Sequence, residues 1–460
     1  MSVFLIFFLL PIIAVAKPYH LPEKVISPLI QETKIRPIFL NQRSTGTQVL
    51  RVEVDWNENE TFRVSGTFLE NSGTPGLLKA STMVDPLGSY KAQLLISTDK
   101  GVLKFYSSIG TGKEFRGLVR TLSFRFPFVQ NALSYTLILE AEHPEKGLLQ
   151  KVIEQKLDLK NIQIVEKQEV KVTLLKRSYK QPAIKFNFYA EGFSSEAEEK
   201  FLSAAYRAMT ILDQKISGSE YFEYRAVFAP SRLKIGKAQD LKLPVEVRDS
   251  FLGLYFPYWR KFGRWYHVVY PTSETKYRNA LAQEPYDYPL AMVDDDGYWG
   301  VGNYKELTAI PSGSTQFSYL LLHEFGHFMG LNEEYEGGGP TELEFAPEIH
   351  EPWSQNITFN PNNLKWKSLT EPGIGIPTSN EDYLRFGGVL KNPVGAYRGG
   401  YADSQPKGRS HKPVKACMMA NGGDFCKVCQ DALLKVIEMD SGLVAPTHIY
   451  LDETAPIPNN

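Results

Sequence analysis

The run His323-Glu324-Phe325-Gly326-His327-Phe328-Met329-Gly330-Leu331-Asn332-Glu333-Glu334-Tyr335 decides how the rest of the chain is read. On a helix, His323 and His327 are four residues apart and project from one face, where two imidazoles can hold one Zn²⁺ with Glu324 beside the water. The surrounding residues Phe317, Leu320, Leu321, Leu322, Phe325, Phe328 and Met329 are apolar on most sides, so the helix is expected to be buried. Ionisable groups in such a helix need a compensating partner, because burying them alone is costly. Metal coordination supplies one; a hydrogen-bonded core histidine pair is the bland alternative.

Gly330 extends the pattern, since a glycine at a helix end supplies a left-handed turn that redirects the chain. The redirected segment can return a third ligand to the metal. In the metzincin spacing that ligand lies six residues beyond the second histidine, which here is Glu333. Two histidines and one glutamate form a known catalytic set. Glu334 is the adjacent rival, because a change of one residue in the turn would exchange the two. Surface acids exposed to solvent are the structural alternative for both.

The chain has 460 residues, room for two or three domains, and its 43% hydrophobic and 22% charged content is that of a folded soluble protein. With 51 basic and 52 acidic residues the net charge is -1, which gives no general attraction to nucleic acid. Val3 to Val15 is an apolar stretch ending in Ala14-Val15-Ala16, a small-x-small site suited to signal peptidase. A signal peptide over 1–16, cleaved after Ala16, is therefore expected, and with it a secreted or periplasmic protein without a stable membrane span. The stretch has no Lys or Arg before it and is too short to cross a bilayer comfortably.

Cys417, Cys426 and Cys429 are the three cysteines of the chain. An exported protein meets an oxidising compartment, so one disulfide among them is expected. A three-cysteine zinc knuckle lacks an evident fourth ligand in the sequence, and no thioredoxin-like unit accompanies the Cys-x-x-Cys spacing.

Residues 17–45 read as an arm or linker, with four prolines between Lys17 and Arg43. From 46 to 168, short β-rich runs bounded by turns (Val49 to Val54, Thr61 to Leu69, Tyr90 to Ser97, Val102 to Ser107, Leu122 to Phe126, Ser134 to Ala141) predict an antiparallel sandwich. His143 reads as a surface residue in a polar turn. The last domain spans 169–460, with Val170 to Leu175 able to close the sandwich or to open the next unit. Ile184, Phe186 and Phe188 alternate as a strand, and Ser195 to Glu198 matches a capping box before Phe201, Ala204, Ala208 and Leu212 at helical spacing. Strands at Tyr224 to Phe228, Trp265 to Tyr270 and Pro289 to Val293 complete an α/β order with a mixed sheet beside the histidine helix. Asp294 to Gly302 reads as a hydrated turn rather than a Ca²⁺ loop, followed by glycines that could keep an edge strand open to a peptide.

Several of these pieces together resemble the bacterial IgA-peptidase family of zinc metallopeptidases, within the metzincin-like group. They are Tyr189-Ala190-Glu191-Gly192-Phe193, Tyr298-Trp299-Gly300-Val301-Gly302, the His-Glu-Phe-Gly-His helix with Leu331 to Tyr335, Glu336-Gly337-Gly338, Val394-Gly395-Ala396-Tyr397, Cys417-Met418-Met419 and Phe425-Cys426-Lys427-Val428-Cys429. The resemblance spans roughly Ala183 to Glu438. It implies His323 and His327 as zinc ligands, Glu324 as catalytic base, and Met419 or Met418 as a methionine turn beneath the metal. The family carries Asp where this chain has Glu333, an added methylene that the turn must accommodate. The implied fold is a zincin-like α+β catalytic domain with a mixed sheet and an active-site helix, preceded by an all-β sandwich.

The aromatic-rich insert from Glu336 to Arg409 is expected to be an ordered loop forming the lower wall of the cleft, and Tyr401 and His411 are candidate oxyanion donors. Asn59 and Asn356 match glycosylation acceptors. The expected function is an exported zinc endopeptidase acting on protein or peptide substrates. The alternatives are an extracellular binding or adhesive protein with a structural or inactive metal site, and a zinc hydrolase acting on amide bonds outside proteins, such as cell-wall peptides.

Overall fold

The computed structural model describes residues 47–56, 61–73, 84–110, 120–142, 148–237, 249–256, 269–335, 351–401, 409–420 and 422–442. The expected signal peptide and arm, His143, Asn59 and the segment 336–350 of the insert lie outside the described residues. Among the described residues, no helix is long and apolar enough to cross a membrane.

The alternating runs form eight strands: β1 (Thr47–Trp56), β2 (Phe62–Gly73), β3 (Tyr90–Thr98), β4 (Gly101–Ile109), β5 (Arg120–Pro127), β6 (Ser134–Glu142), β7 (Leu149–Lys156) and the short β8 (Gln163–Ile164). They make two four-stranded sheets, ordered β5-β1-β2-β8 and β4-β3-β6-β7. Both sheets feed one apolar core, with Leu50, Val52 and Val54 of β1 and Leu122, Phe124 and Phe126 of β5 meeting Ala92, Leu94 and Ile96 of β3 and Leu137 and Leu139 of β6. That is the period-two alternation of strands buried on one face. β7 had no counterpart among the expected runs, because its Lys-Val-Ile-Glu-Gln-Lys sequence is mostly polar.

The other face of β1 departs from simple alternation, since Arg51 and Glu53 are buried rather than solvated. They are covered by the second unit. Arg51 Nη2 donates to Asn279 Oδ1 at 2.5 Å, Thr275 Oγ1 donates to Glu53 Oε2 at 2.6 Å, and Arg125 Nη1 donates to the Tyr286 carbonyl at 3.0 Å.

That second unit is built on a six-stranded mixed sheet, with β9 (Lys171–Lys176), β10 (Ile184–Glu191), β11 (Phe222–Phe228), β15 (Tyr288–Val293), β16 (Val301–Asn303) and β17 (Leu307–Pro311) in the order β16-β17-β15-β10-β11-β9. β10 runs parallel to β11 and β15, and β15 runs parallel to β17, while β9 and β16 are antiparallel at the two edges. β9 thus opens this unit rather than closing the first. Central parallel strands are buried on both faces. Accordingly Phe186 and Phe188 of β10 pack with helices α1 (Glu198–Lys215), α3 (Phe317–Phe328) and α6 (Lys427–Asp440), while Tyr189 packs with α2 (Glu274–Leu281) on the opposite face.

The capping box does not form. Ser195 lies inside a 3-10 turn and its hydroxyl bonds Glu196, so α1 starts at Glu198 without a side-chain cap. Of the expected strand at Trp265 to Tyr270, Tyr270 lies in β14 (Tyr270–Pro271), which pairs with β13 (Leu254–Phe256), itself beside β12 (Gly236–Lys237). Residues 351–401 are ordered loop with two short helices, α4 (Asn380–Arg385) and α5 (Gly388–Lys391), and a final bridge pairs β18 (Tyr397–Arg398) with β19 (His411–Lys412).

A second contact between the units is a buried ion pair, Arg120 Nη2 to Glu306 Oε1 at 2.5 Å. Burial pushes the Glu306 pKa up, and Arg120 opposes that rise. Removing Arg120 would leave the carboxylate uncompensated, so Arg120→Met should cost about 3 kcal/mol of unfolding free energy. In the variant, the folded-state pKa of Glu306 climbs further above its unfolded value of about 4.3, so stability falls as pH rises through it. Urea denaturation should therefore show a larger loss at pH 8 than at pH 5; equal losses at both would mean that Arg120 acts through packing alone.

Candidate active site and metal centre

The site starts from how α3 ends. Gly330 takes a φ of +89°, its N–H donates to the His327 carbonyl at 2.9 Å, and the Leu331 N–H donates to the Gly326 carbonyl at 2.9 Å. This paired bonding is a Schellman termination, for which glycine is the residue of least strain. It turns the chain back along the helix so that the Leu331 carbonyl accepts from His327 Nδ1 at 3.0 Å. His323 Nδ1 donates in the same way to the Met418 carbonyl at 3.2 Å. With both Nδ1 atoms protonated, both Nε2 atoms carry lone pairs, and these face each other 3.2 Å apart. Burial, helped for His323 by the neighbouring His327, lowers each imidazole pKa to about 4, so both rings are neutral near pH 7.

Glu333 Oε1 lies 3.7 Å from His327 Nε2. Glu334 points the other way and is fully buried, with Oε1 accepting from Asn356 Nδ2 at 3.1 Å and from Cys429 Sγ at 3.0 Å. Two consecutive glutamates therefore serve opposite sides of one loop, with Glu333 on the histidine side. The loop is fixed by Asn356, whose amide accepts from the Asn332 N–H at 2.9 Å and donates to the Asn332 carbonyl at 2.8 Å. Asn356 is wholly buried in these bonds, so the glycosylation reading of Asn356-Ile357-Thr358 does not fit the folded chain.

Glu324 is buried at 8% exposure beside β16, the terminal strand of the sheet. Glycines make that approach possible: a Cβ at Gly300 would collide with the Glu324 carboxylate, and one at Gly302 with the Glu324 carbonyl oxygen. The glycines before α3 thus do more than leave an edge strand open. They let the edge strand touch the helix. The acids of the preceding turn are satisfied internally, Asp294 by Lys200 and Lys234, and Asp295 by the Trp299 indole N–H at 2.5 Å.

The segment Cys417 to Ala420 lies on the far side of α3. Met419 is fully buried, and a Cβ at Gly326 would come 2.5 Å from its Sδ, so the thioether lies directly against the residue before His327. Met418 contributes its carbonyl to His323, and the Met419 carbonyl accepts from the Glu334 N–H at 2.7 Å. Met418 and Met419, the two residues between which the resemblance left the methionine turn open, thus both face α3 or its return loop.

Tyr401 and His411, the two oxyanion-donor candidates, lie beside the return loop and in the final strand pair. The Tyr401 ring packs with Ile357 and Phe359 while its N–H donates to the Glu333 carbonyl at 2.8 Å, and His411 sits in β19 with its backbone paired to Thr358. Sequence reasoning missed Tyr319. Its ring packs against His323, tilted by 31° with centroids 5.2 Å apart, and burial together with Tyr298, Glu324 and Glu333 pushes its hydroxyl up to about 12. Its position four residues before His323 was the available signal, because i and i+4 share a helix face. Tyr298, Gln316, Tyr319, Leu322, Met418 and Gly422 line an open groove alongside.

The glycine contacts make a graded expectation. Gly302→Ala drives a methyl group into helix backbone that cannot yield without moving β16, so a loss of about 2–3 kcal/mol is expected. Gly326→Ala meets the end of a flexible Met419 side chain and, at 3.2 Å, the edge of the Phe425 ring rather than backbone, and should cost less. Thermal melting of the two variants gives the comparison, and a Gly302→Ala protein as stable as the parent would contradict the close packing of β16 on α3.

No curated protein matches the chain. Residues 172–391, a span that contains His323, Glu324, His327, Glu333 and Glu334 and ends before Met418 and the three cysteines, match the model of the family described as IgA Peptidase M64, so the part of the chain that carries this site is similar to that peptidase family.

Proposed function

We propose that the chain is an exported zinc-dependent endopeptidase in which His323, His327 and Glu333 hold the metal and Glu324 is the general base. The observation that carries this is the pair of unprotonated Nε2 atoms 3.2 Å apart. Two lone pairs at that distance repel unless a cation lies between them. A tetrahedral zinc with Zn–N bonds near 2.05 Å separates two imidazole nitrogens by about 3.3 Å, so the residues present fit the ion. Both Nδ1 atoms are already committed to carbonyls, the usual outer support of metal-bound histidines. Glu333 supplies the third ligand, and its extra methylene relative to aspartate is taken up by the loop that Asn356 fixes.

Bound there, zinc would supply Lewis acidity, polarising the scissile carbonyl and making a water acidic enough to lose its proton near neutral pH. Glu324 accepts the proton from the attacking water and returns it to the departing amine. β16 offers the terminal edge along which an extended peptide can add as a strand, with Gly300 and Gly302 bringing that edge against the helix. Tyr319, protonated at neutral pH and packed against the His323 ring, is our candidate donor to the developing oxyanion. We read the finer fold accordingly: a β-sandwich over 46–168 and a zincin-like, metzincin-type catalytic domain over 169–460, with Met419 beneath the helix. The amino-terminal residues 1–16 support secretion or periplasmic export.

Glu324→Gln should retain its zinc and lose about 10²–10⁴ in kcat on a mixed peptide library. Tyr319→Phe should lower kcat with little change in KM or metal content. Glu333→Ala should lose metal affinity and activity together, whereas Glu333→Asp should restore both in part. Full cleavage by Glu324→Gln would sink the mechanism. A parent protein that holds zinc without hydrolysing any peptide would instead favour the binding-module reading, and one without zinc would sink the metal assignment itself.

A further inference from the structure

Cys417, Cys426, Cys429 and Glu334 converge from three separate segments into one buried cluster, and their ligand atoms all lie within 4.8 Å of one another. We infer that this cluster is a second metal site, a structural zinc held by three thiolates and the Glu334 carboxylate. The sequence supplied three sulfurs in the spacing of a knuckle and no fourth ligand. Folding supplies the fourth from a loop 95 residues before Cys429.

Four observations carry the assignment. The thiols are free, and Cys417 Sγ and Cys429 Sγ stand 3.7 Å apart, close to the sulfur separation of about 3.8 Å that two Zn–S bonds of 2.3 Å subtend at a tetrahedral centre. Glu334 is 0% exposed, and its Oε2 has no hydrogen-bond partner among the described residues, an arrangement that leaves a carboxylate oxygen in apolar surroundings unless a cation takes it up. The surroundings also moderate an anionic ligand set. The Cys426 N–H donates to Cys417 Sγ at 3.4 Å, Asn356 Nδ2 donates to Glu334 Oε1, and Lys412 Nζ bonds the Glu334 carbonyl. Finally, Cys426 is the residue just before α6 and Cys429 lies in the helix's first turn, so one helix start presents two of the three sulfurs to the cluster.

The site is separate from the histidine site and braces it. The Glu334 N–H bonds the Met419 carbonyl, so an ion joining Glu334 to Cys417 would tie the loop bearing Glu333 to the segment whose Met418 carbonyl orients His323. The existence of the second site does not depend on the peptidase reading; only its bracing of Glu333 does.

The test uses the full chain purified from zinc-replete medium, with metal content measured by mass spectrometry. The parent should hold about two zinc ions per chain and His323→Ala/His327→Ala about one. In that double variant, a mercurial thiol reagent should release the remaining zinc, and X-ray absorption should show sulfur neighbours at about 2.3 Å. Cys426→Ser/Cys429→Ser should lose this zinc, and Glu334→Ala should weaken it against a chelator. If the double histidine variant fails to fold, X-ray absorption on the parent still decides, because a zinc–sulfur shell belongs to this cluster alone. The proposal is overturned by a folded double variant without zinc, by a parent spectrum with only nitrogen and oxygen neighbours, or by a denatured, unreduced chain in which alkylation finds one thiol and a disulfide in place of three thiols. Loss of hydrolysis in Glu324→Gln bears on none of these outcomes, so the two readings fail separately.

Discussion

Two neutral imidazole nitrogens 3.2 Å apart, inside a helix packed on an aromatic core, are the constraint on which the surrounding structure depends. Neutral rings can be buried, but only if each remaining ring N–H finds an acceptor. The acceptors come from two unrelated places, the carbonyl just beyond the turn of Gly330 and the carbonyl of Met418 on another segment. Each fixes one tautomer. The two bonds together aim two lone pairs at one point, and on that convergence, more than on the His-x-x-x-His spacing itself, the proposed metal site rests.

The same economy governs the return loop. A reversal one residue longer or shorter would exchange Glu333 and Glu334, one of which faces the histidines and the other the cysteines. The register is held at four points: the Schellman bonds at Gly330, the Asn356 amide on Asn332, the Tyr401 N–H on the Glu333 carbonyl and the Glu334 N–H on the Met419 carbonyl. Two of these partners, Asn356 and Tyr401, belong to the long segment from Glu336 to Arg409, whose aromatic content implied order. Their role is to set which glutamate faces which site.

Local features were legible in the sequence because their physics is local. The i, i+4 histidines, the glycine that ends α3 and the alternating strands of the first unit all read from spacing alone. Distant features were not. Nothing near Cys417 announces Glu334, and nothing near β1 announces that Arg51 and Glu53 would be covered by α2, since both follow from tertiary contacts. The capping box failed for a different reason: a 3-10 turn over Ser195–Ala197 precedes α1, so Ser195 lies inside the turn and Ala197, which has no side-chain acceptor, takes the cap position. Tyr319 was legible but unused, because an aromatic residue in an apolar helix reads first as core.

The first unit has a bearing on the site that its distance in sequence conceals. Its Asp85 accepts from Tyr304 at 2.8 Å and pairs with Lys305 at 3.0 Å, its Gly110 N–H bonds the Tyr304 carbonyl, and Leu87 lies with Tyr304 and Trp353 around the space that a side chain at Gly330 would fill. Lys305 in turn bonds the carbonyl at the end of α3 through its own N–H. The turn that sends Glu333 back toward the histidines is thus enclosed on one side by the amino-terminal unit. Buried ion pairs such as Asp85–Lys305 and Arg120–Glu306 add little net stability against apolar replacements, but they tolerate few alternative docking geometries. The contact therefore specifies orientation: it holds the β16–β17 turn, the end of α3 and the return loop in a single register.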